Sequence, residues 1–287
     1  MKNKAFKTYI YGLLALLICS SKTTFASSIS DSVDTTVSSS FKLKTLVIDA
    51  GHGGRAAGAS GDYSLEKNVT LALALKLQQA VQKEIKDLNV LMTRTTDIFV
   101  QNGSRAIMAN EHKANIYISL HCNSLPNSRK VINGKTVSVP NRSGKGVLIL
   151  INRFGRSGEQ VAAIRENEYA EEEDSYSKIK VNKQVDPTEA IILNAKRDKF
   201  RKQSIHLASL INNEFVNTDG RRSLGVIEQG VQVLANTAMP SLLVETGFIN
   251  NHEEEDYLNS EDGQNEIVNS IVRAIKQYKR ELEQTAQ

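Results

Sequence analysis

Cysteine is nearly absent from this chain. Of its two cysteines, Cys19 and Cys122, the first lies in an N-terminal segment that reads as removable. A mature chain left with Cys122 alone cannot form an intramolecular disulfide. Long hydrophobic runs are also missing. No apolar run approaches the roughly 18–20 residues of a membrane-spanning helix, which argues against an integral membrane protein. A net charge is missing once the N-terminus is set aside. The formal +4 resides in Lys2, Lys4, Lys7 and Lys22, because residues 1–26 hold no acid. Removing them takes the charge to about 0, so the mature chain lacks the basic excess of a nucleic-acid footprint. There is no internal repeat, no Pro-rich linker and no second compositional block, and one domain is the simplest organisation.

What is present is ordinary globular material. Hydrophobic residues make up 40% and charged residues 24% of 287, enough for a large core without staples. Residues 1–26 read as a secretory signal peptide. The lysines form its n-region, Ile10 to Cys19 its apolar stretch, and Thr24-Phe25-Ala26 its small-x-small cleavage site. Ile18 is bulky where lipoprotein cleavage needs a small residue, which argues against lipidation at Cys19. Residues 27–42, rich in Ser, Thr and Asp, read as a flexible leader. The domain is expected over 43–285. Cys122 ends the apolar run Ile116 to Leu120 and is expected to be buried.

Within that domain, strands and helices alternate. Thr45–Ile48, Asn89–Met92, Ile116–Leu120, Gly146–Ile151, Val231–Leu234 and Ser241–Val244 read as strands. A helix follows Leu65, with Ser64 as its expected N-cap. Further helices are expected over Ser204–Phe215, over Ser104–His112, and at the end, where Ile267, Ile271, Ala274, Ile275, Tyr278 and Leu282 recur at helical spacing. The fold class is therefore α/β, a mostly parallel sheet covered on both faces. Residues 152–200 interrupt the alternation with an acidic stretch, Arg165 to Asp174, and are too long for a passive connection.

Ligands of such sheets bind beyond the carboxyl ends of the strands. There the chain places Asp49-Ala50-Gly51-His52-Gly53-Gly54, Ser119-Leu120-His121-Cys122-Asn123 and Val244-Glu245-Thr246-Gly247, with Glu66 in the first turn of the following helix. Two His and two Glu can converge on one crevice. That set suits zinc, with three protein ligands, an open position for water and a second carboxylate to move its proton.

Six blocks in order carry a family resemblance. They are Val47 to Gly54, Leu65 to Asn68, Thr93 to Asp97, Arg105 with Ala109-Asn110, Ala114 to Asn123, and Met239 to Asn251. From about Leu43 to Tyr278 the chain resembles the zinc-dependent N-acetylmuramoyl-L-alanine amidases of bacterial cell-wall turnover and division. Cys122 stands where a small residue, often Ala, is usual. The resemblance implies His52, Glu66 and His121 as ligands of one zinc ion and Glu245 as general base. It implies a mixed six-stranded sheet with surrounding helices, and cleavage of the amide between the lactyl group of N-acetylmuramic acid and L-alanine in peptidoglycan. The export signal would put the enzyme in the periplasm of a cell with an outer membrane, or otherwise outside the cell. The resemblance also implies that the insertion at 152–200 carries a helix covering the zinc site with a glutamate; Glu166, with Glu168 next, is the expected inhibitory contact, released by an activating protein, and the alternative is a solvated acidic helix face or a disordered loop.

Other residues read more plainly. His112, His206 and His252 are expected to be structural or solvent-facing. Arg94, Asp97 and Arg105 are expected to hold loops. Asn123 holds a loop or touches substrate, and Asp49 is a candidate to orient His52. The alternatives are a zinc peptidase acting on stem peptides and a non-catalytic wall-binding protein with a vestigial site. The presence of both the zinc set and Glu245 argues against the latter.

Overall fold

The computed structural model describes residues 42–153 and 187–285. The N-terminal segments, the acidic stretch, Glu166 and Glu168 lie outside them. The sheet has six strands: β1 (Thr45–Ala50), β2 (Asn89–Met92), β3 (Ile116–Asn123), β6 (Val147–Asn152), β7 (Ser223–Gln229) and β8 (Ser241–Phe248). Their order is β2-β1-β3-β8-β6-β7. Every neighbouring pair is parallel except β6 with β8, so the sheet is mixed and mostly parallel. Strands β4 (Ser128–Ile132) and β5 (Lys135–Val139) form a separate hairpin.

Because side chains alternate across a strand, the two faces of the sheet can be read from residue parity. Leu46, Ile48, Ile116, Ile118, Leu242 and Val244 join the larger core. It is closed by α1 (Glu66–Glu84), α3 (Pro187–Asn213) and α6 (Glu261–Thr285). Val47, Tyr117 and Leu243 face the other way into a smaller cluster. That cluster is completed from α2 (Asn102–Glu111) and the short α4 (Gln232–Ala235). The odd-numbered series continues along each strand to Asp49, Ser119, His121 and Glu245. These polar residues therefore share the thinly covered face at the carboxyl edge.

Several expectations need correction. Val231–Leu234 is not a strand; Gln232–Ala235 is a helical turn. A run of four residues, three of them apolar, is too short for periodicity to decide its type. The strand in that part of the chain is β7, whose alternation is broken by Gly225 at φ 92° and whose Leu224 and Ile227 are exposed at the sheet edge. Ser64 is not the N-cap of α1. Leu65 takes that position, and the Ser64 hydroxyl instead donates to Glu255 Oε1 at 2.7 Å. The helix expected at Ser204 begins at Pro187 and ends in a π-helical turn, Glu214–Thr218. The described part of the 152–200 interruption is thus largely helical. Helix α5 (His252–Asn259) and the hairpin were not foreseen. The final helix is as expected, with Ile267, Ile271, Ala274, Ile275 and Tyr278 buried. No helix among the described residues is long and apolar enough to cross a membrane.

Candidate metal centre and active site

His52 sits in the turn after β1 at φ 61°, a left-handed conformation that costs a residue with a Cβ about 1–2 kcal/mol. Two buried arginines hold it there. Arg105 donates from Nη1 to Ala50 O at 2.7 Å and from Nη2 to His52 O at 2.6 Å. Arg94 donates to Ala50 O and Gly51 O, both at 2.8 Å. Asp97 caps the same loop by accepting from Gly54 N at 2.7 Å. The three residues hold loops, as their sequence setting suggested. Gly51 permits a close approach, since a Cβ there would lie 2.5 Å from His121 Nε2.

Glu66, in the first turn of α1, is the hub. Its Oε2 accepts from Ala59 N at 2.7 Å and its Oε1 from Cys122 N at 2.9 Å. The same oxygens meet His52 Nε2 at 3.1 Å and His121 Nδ1 at 2.9 Å. Burial, the largest single influence, pushes its pKa up. Hydrogen bonds from His121 and His52 more than reverse this, and the carboxyl is held well below the usual range. The reciprocal effect raises His121 despite its burial. Gly58, at φ 73°, is required here as well, because a Cβ would lie 2.5 Å from Glu66 Oε2 and 2.7 Å from His52 Cδ2. One donor atom each from His52, Glu66 and His121 falls within 4.8 Å of the others, so the three could hold a metal ion.

Glu245 stands opposite His121 in the β3–β8 ladder. Its Oε2 is buried and has no hydrogen-bond partner among the described residues. Burial pushes its pKa up to about 7; the His121 charge opposes the rise and Glu66 adds to it. The register of the ladder shifts between His121 and Asn123, beside this pair. A cleft of about 400 Å³ opens alongside, lined by His52, His121, Phe99, Gln101, Asn102 and Gln232 among others.

Asp49 does not orient the His52 ring. Its carboxylate accepts from Thr93 Oγ1, Ser119 Oγ and Arg105 Nη1, each at 2.6 Å. Its register in β1 sets it opposite Ser119, and it acts on the loop through Arg105. Asn123 holds its loop: its carbonyl accepts from Ile249 N, and its Oδ1 from Ser124 N. Cys122 is buried, and His112, His206 and His252 are exposed, as expected. Sequence reasoning missed Thr246, whose hydroxyl donates to His121 O at 2.9 Å. It also missed Glu255, which accepts from Asp62 N, Tyr63 N and Ser64 N and so fixes the approach to Glu66. Neither carries a local signal, because both act on segments distant in sequence.

The family described as N-acetylmuramoyl-L-alanine amidase (Amidase_3) matches residues 46–277. The chain belongs to this family. Among its relatives, the amidase AmiC of Escherichia coli O6:H1 is 29% identical over 81% of this chain and 52% of its own length. AmiA of Escherichia coli K12 is 27% identical over 82% and 76%. The chain thus spans about half the length of the AmiC relatives of Escherichia coli and Neisseria meningitidis that it matches. The amidase fold is also that of the crystal structure of an N-acetylmuramoyl-L-alanine amidase from Clostridium difficile 630. The TM-score is 0.57 at 24% identity, covering 83% of this chain and 97% of that one.

Proposed function

We propose that this chain is a zinc-dependent N-acetylmuramoyl-L-alanine amidase, cleaving the amide between the lactyl group of N-acetylmuramic acid and L-alanine in peptidoglycan. The observation that carries the reading is the convergence of His52, Glu66 and His121 beside an unsatisfied buried carboxylate, Glu245. Two imidazoles and one carboxylate are a donor set that suits catalytic zinc. Their present contacts also fit it, because each imidazole nitrogen already points at a Glu66 oxygen. Zinc held there supplies Lewis-acid polarisation of a carbonyl and lowers the pKa of water to about 7.

The chain's own residues do the rest. Glu245 takes the proton of the attacking water on its unsatisfied oxygen and returns it to the departing L-alanine nitrogen. Its low donor count lets it cycle between charged and neutral forms. Arg94 and Arg105 keep the His52 turn wound while this happens. On this reading the signal-like residues 1–26 export the enzyme to its substrate. Glu166 in the acidic stretch would cover the site until a protein partner withdraws it, and Glu166→Ala should then raise basal hydrolysis.

Hydrolysis of purified sacculi tests the central reading. Chelation should stop the release of stem peptides from glycan, and added zinc should restore it. Release of shortened peptides with the lactyl amide intact would replace the amidase by a peptidase.

A further inference from the structure

The strand that carries His121 leads out of the site into the hairpin. Five residues after Asn123 the chain enters β4, turns at Asn133 and Gly134, and returns as β5. Both turn residues are left-handed, with φ 51° and 71°, the conformation of a tight Asn-Gly turn. Among the described residues the two strands pair only with each other. No hairpin residue is buried, and Val131 and Ile132 near the tip are 72% and 51% exposed. The hairpin therefore contributes little to either core.

Its base is fixed beside the candidate site. Asn250 Nδ2 donates to Leu125 O at 2.9 Å and to Asn141 O at 3.1 Å, stapling both ends of the excursion to the chain just after β8. Asn251 Nδ2 donates to Arg142 O at 2.6 Å, and Arg142 pairs with Asp62. Seven residues separate Ser128 from His121, so even an extended chain keeps them within roughly 25 Å.

The charge of this region is of one sign. Between Glu111 and Glu159 the chain has no Asp or Glu. The hairpin carries Arg129, Lys130 and Lys135, all exposed and none in an ion pair with a described residue. One lysine would suffice to discourage edge-to-edge pairing of strands. Three unopposed cations on a protruding arm beside a catalytic edge point to an anionic ligand.

We propose that the hairpin is a polymer-binding arm that holds the carboxylate-bearing stem peptides of the wall next to the catalytic edge. The proposal rests on the amidase reading above. Peptidoglycan repeats free carboxylates along its stem peptides, so several can be met at once. Each exposed pair contributes little, but neighbouring contacts on one polymer reinforce each other through effective concentration. The arm supplies wall affinity from within the domain itself.

The test compares the full chain with its R129Q/K130Q/K135Q variant, each also carrying Glu245→Gln to prevent digestion. Both are pelleted with purified sacculi at about 50 mM and about 300 mM salt. The triple variant should bind roughly tenfold more weakly at low salt, and the salt dependence of the parent should largely vanish. In the background with Glu245 intact, kcat on a small soluble muramoyl-alanine amide without stem carboxylates should stay within about twofold. Undiminished pelleting of the triple variant overturns the proposal. So does a loss confined to phosphatidylglycerol vesicles with sacculus binding unchanged, which would assign the arm to a lipid surface. If neither protein hydrolyses the small amide, the amidase reading fails, and the pelleting comparison still decides the arm.

Discussion

Glu66 at the start of α1 and Glu245 in the middle of β8 flank the same histidine and are opposites. Glu66 receives two backbone N–H groups and faces two imidazoles. Glu245 has one buried oxygen with no partner among the described residues. Burial pushes both upward, yet one ends well below the usual carboxylate range and the other at about 7. The difference teaches that donors, not depth, decide which carboxylate is a fixed charge and which can exchange a proton.

The largest effect should come from emptying the saturated side. Glu66→Gln or His121→Ala should lose bound zinc and turnover together, read by metal analysis of the dialysed protein. Stoichiometric zinc in either variant would break the comparison by placing the metal elsewhere. On the other side, Glu245→Gln should keep zinc and the fold while kcat falls about 10²–10⁴-fold. Zinc lost from that variant would merge the two roles.

The next expected loss is one of stability. Arg105→Ala strands Asp49, which is fully buried, and breaking such a pair costs about 3–5 kcal/mol, measurable by denaturant unfolding. Arg105→Lys keeps a charge near Asp49 but loses the fork to Ala50 O and His52 O. It should unfold less readily than Arg105→Ala, yet hold metal more weakly than the parent.

Acid should act on the carboxylates that resemble Glu66 in donor supply. Asp49 is pushed up by burial, but Arg105, Ser119 and Thr93 outweigh that and lower it. Glu255 is likewise lowered by the backbone N–H groups of residues 62–64 against its burial. A group lowered in the folded state binds fewer protons there than when unfolded. Its stability contribution is therefore complete above the ordinary values of 3.8 and 4.5 and is lost as pH falls below them. Thermal unfolding of the metal-free protein should show this decline, and Glu255→Gln should flatten it. The smallest effect is Ser64→Ala, which removes one hydrogen bond to Glu255 and should cost about 0.5–1.5 kcal/mol.

Much of this was legible in the chain because each signal was local. The apolar strands, the α1 and α6 periodicities and the polar residues after Asp49, Leu120 and Val244 are read within a few positions. What was not legible is relational. Asp49 looked like a partner of His52 by proximity in sequence, but pleat parity sends its carboxylate to Ser119 and Arg105. Gly58 matters only because α1 brings Glu66 against it. Strand β7 hid behind a glycine and an exposed edge, while Val231, Val233 and Leu234 imitated a strand.

The wound turn at His52 has a consequence for the order of assembly. Its left-handed backbone is locked by guanidinium groups that need no ion. On the zinc reading proposed above, little chain entropy in this turn remains to be surrendered on ligation, which favours retention of the ion. Metallation on that reading is a late and separable event. If residues 1–26 export the chain as proposed above, it can fold first and then load its ion from a dilute pool.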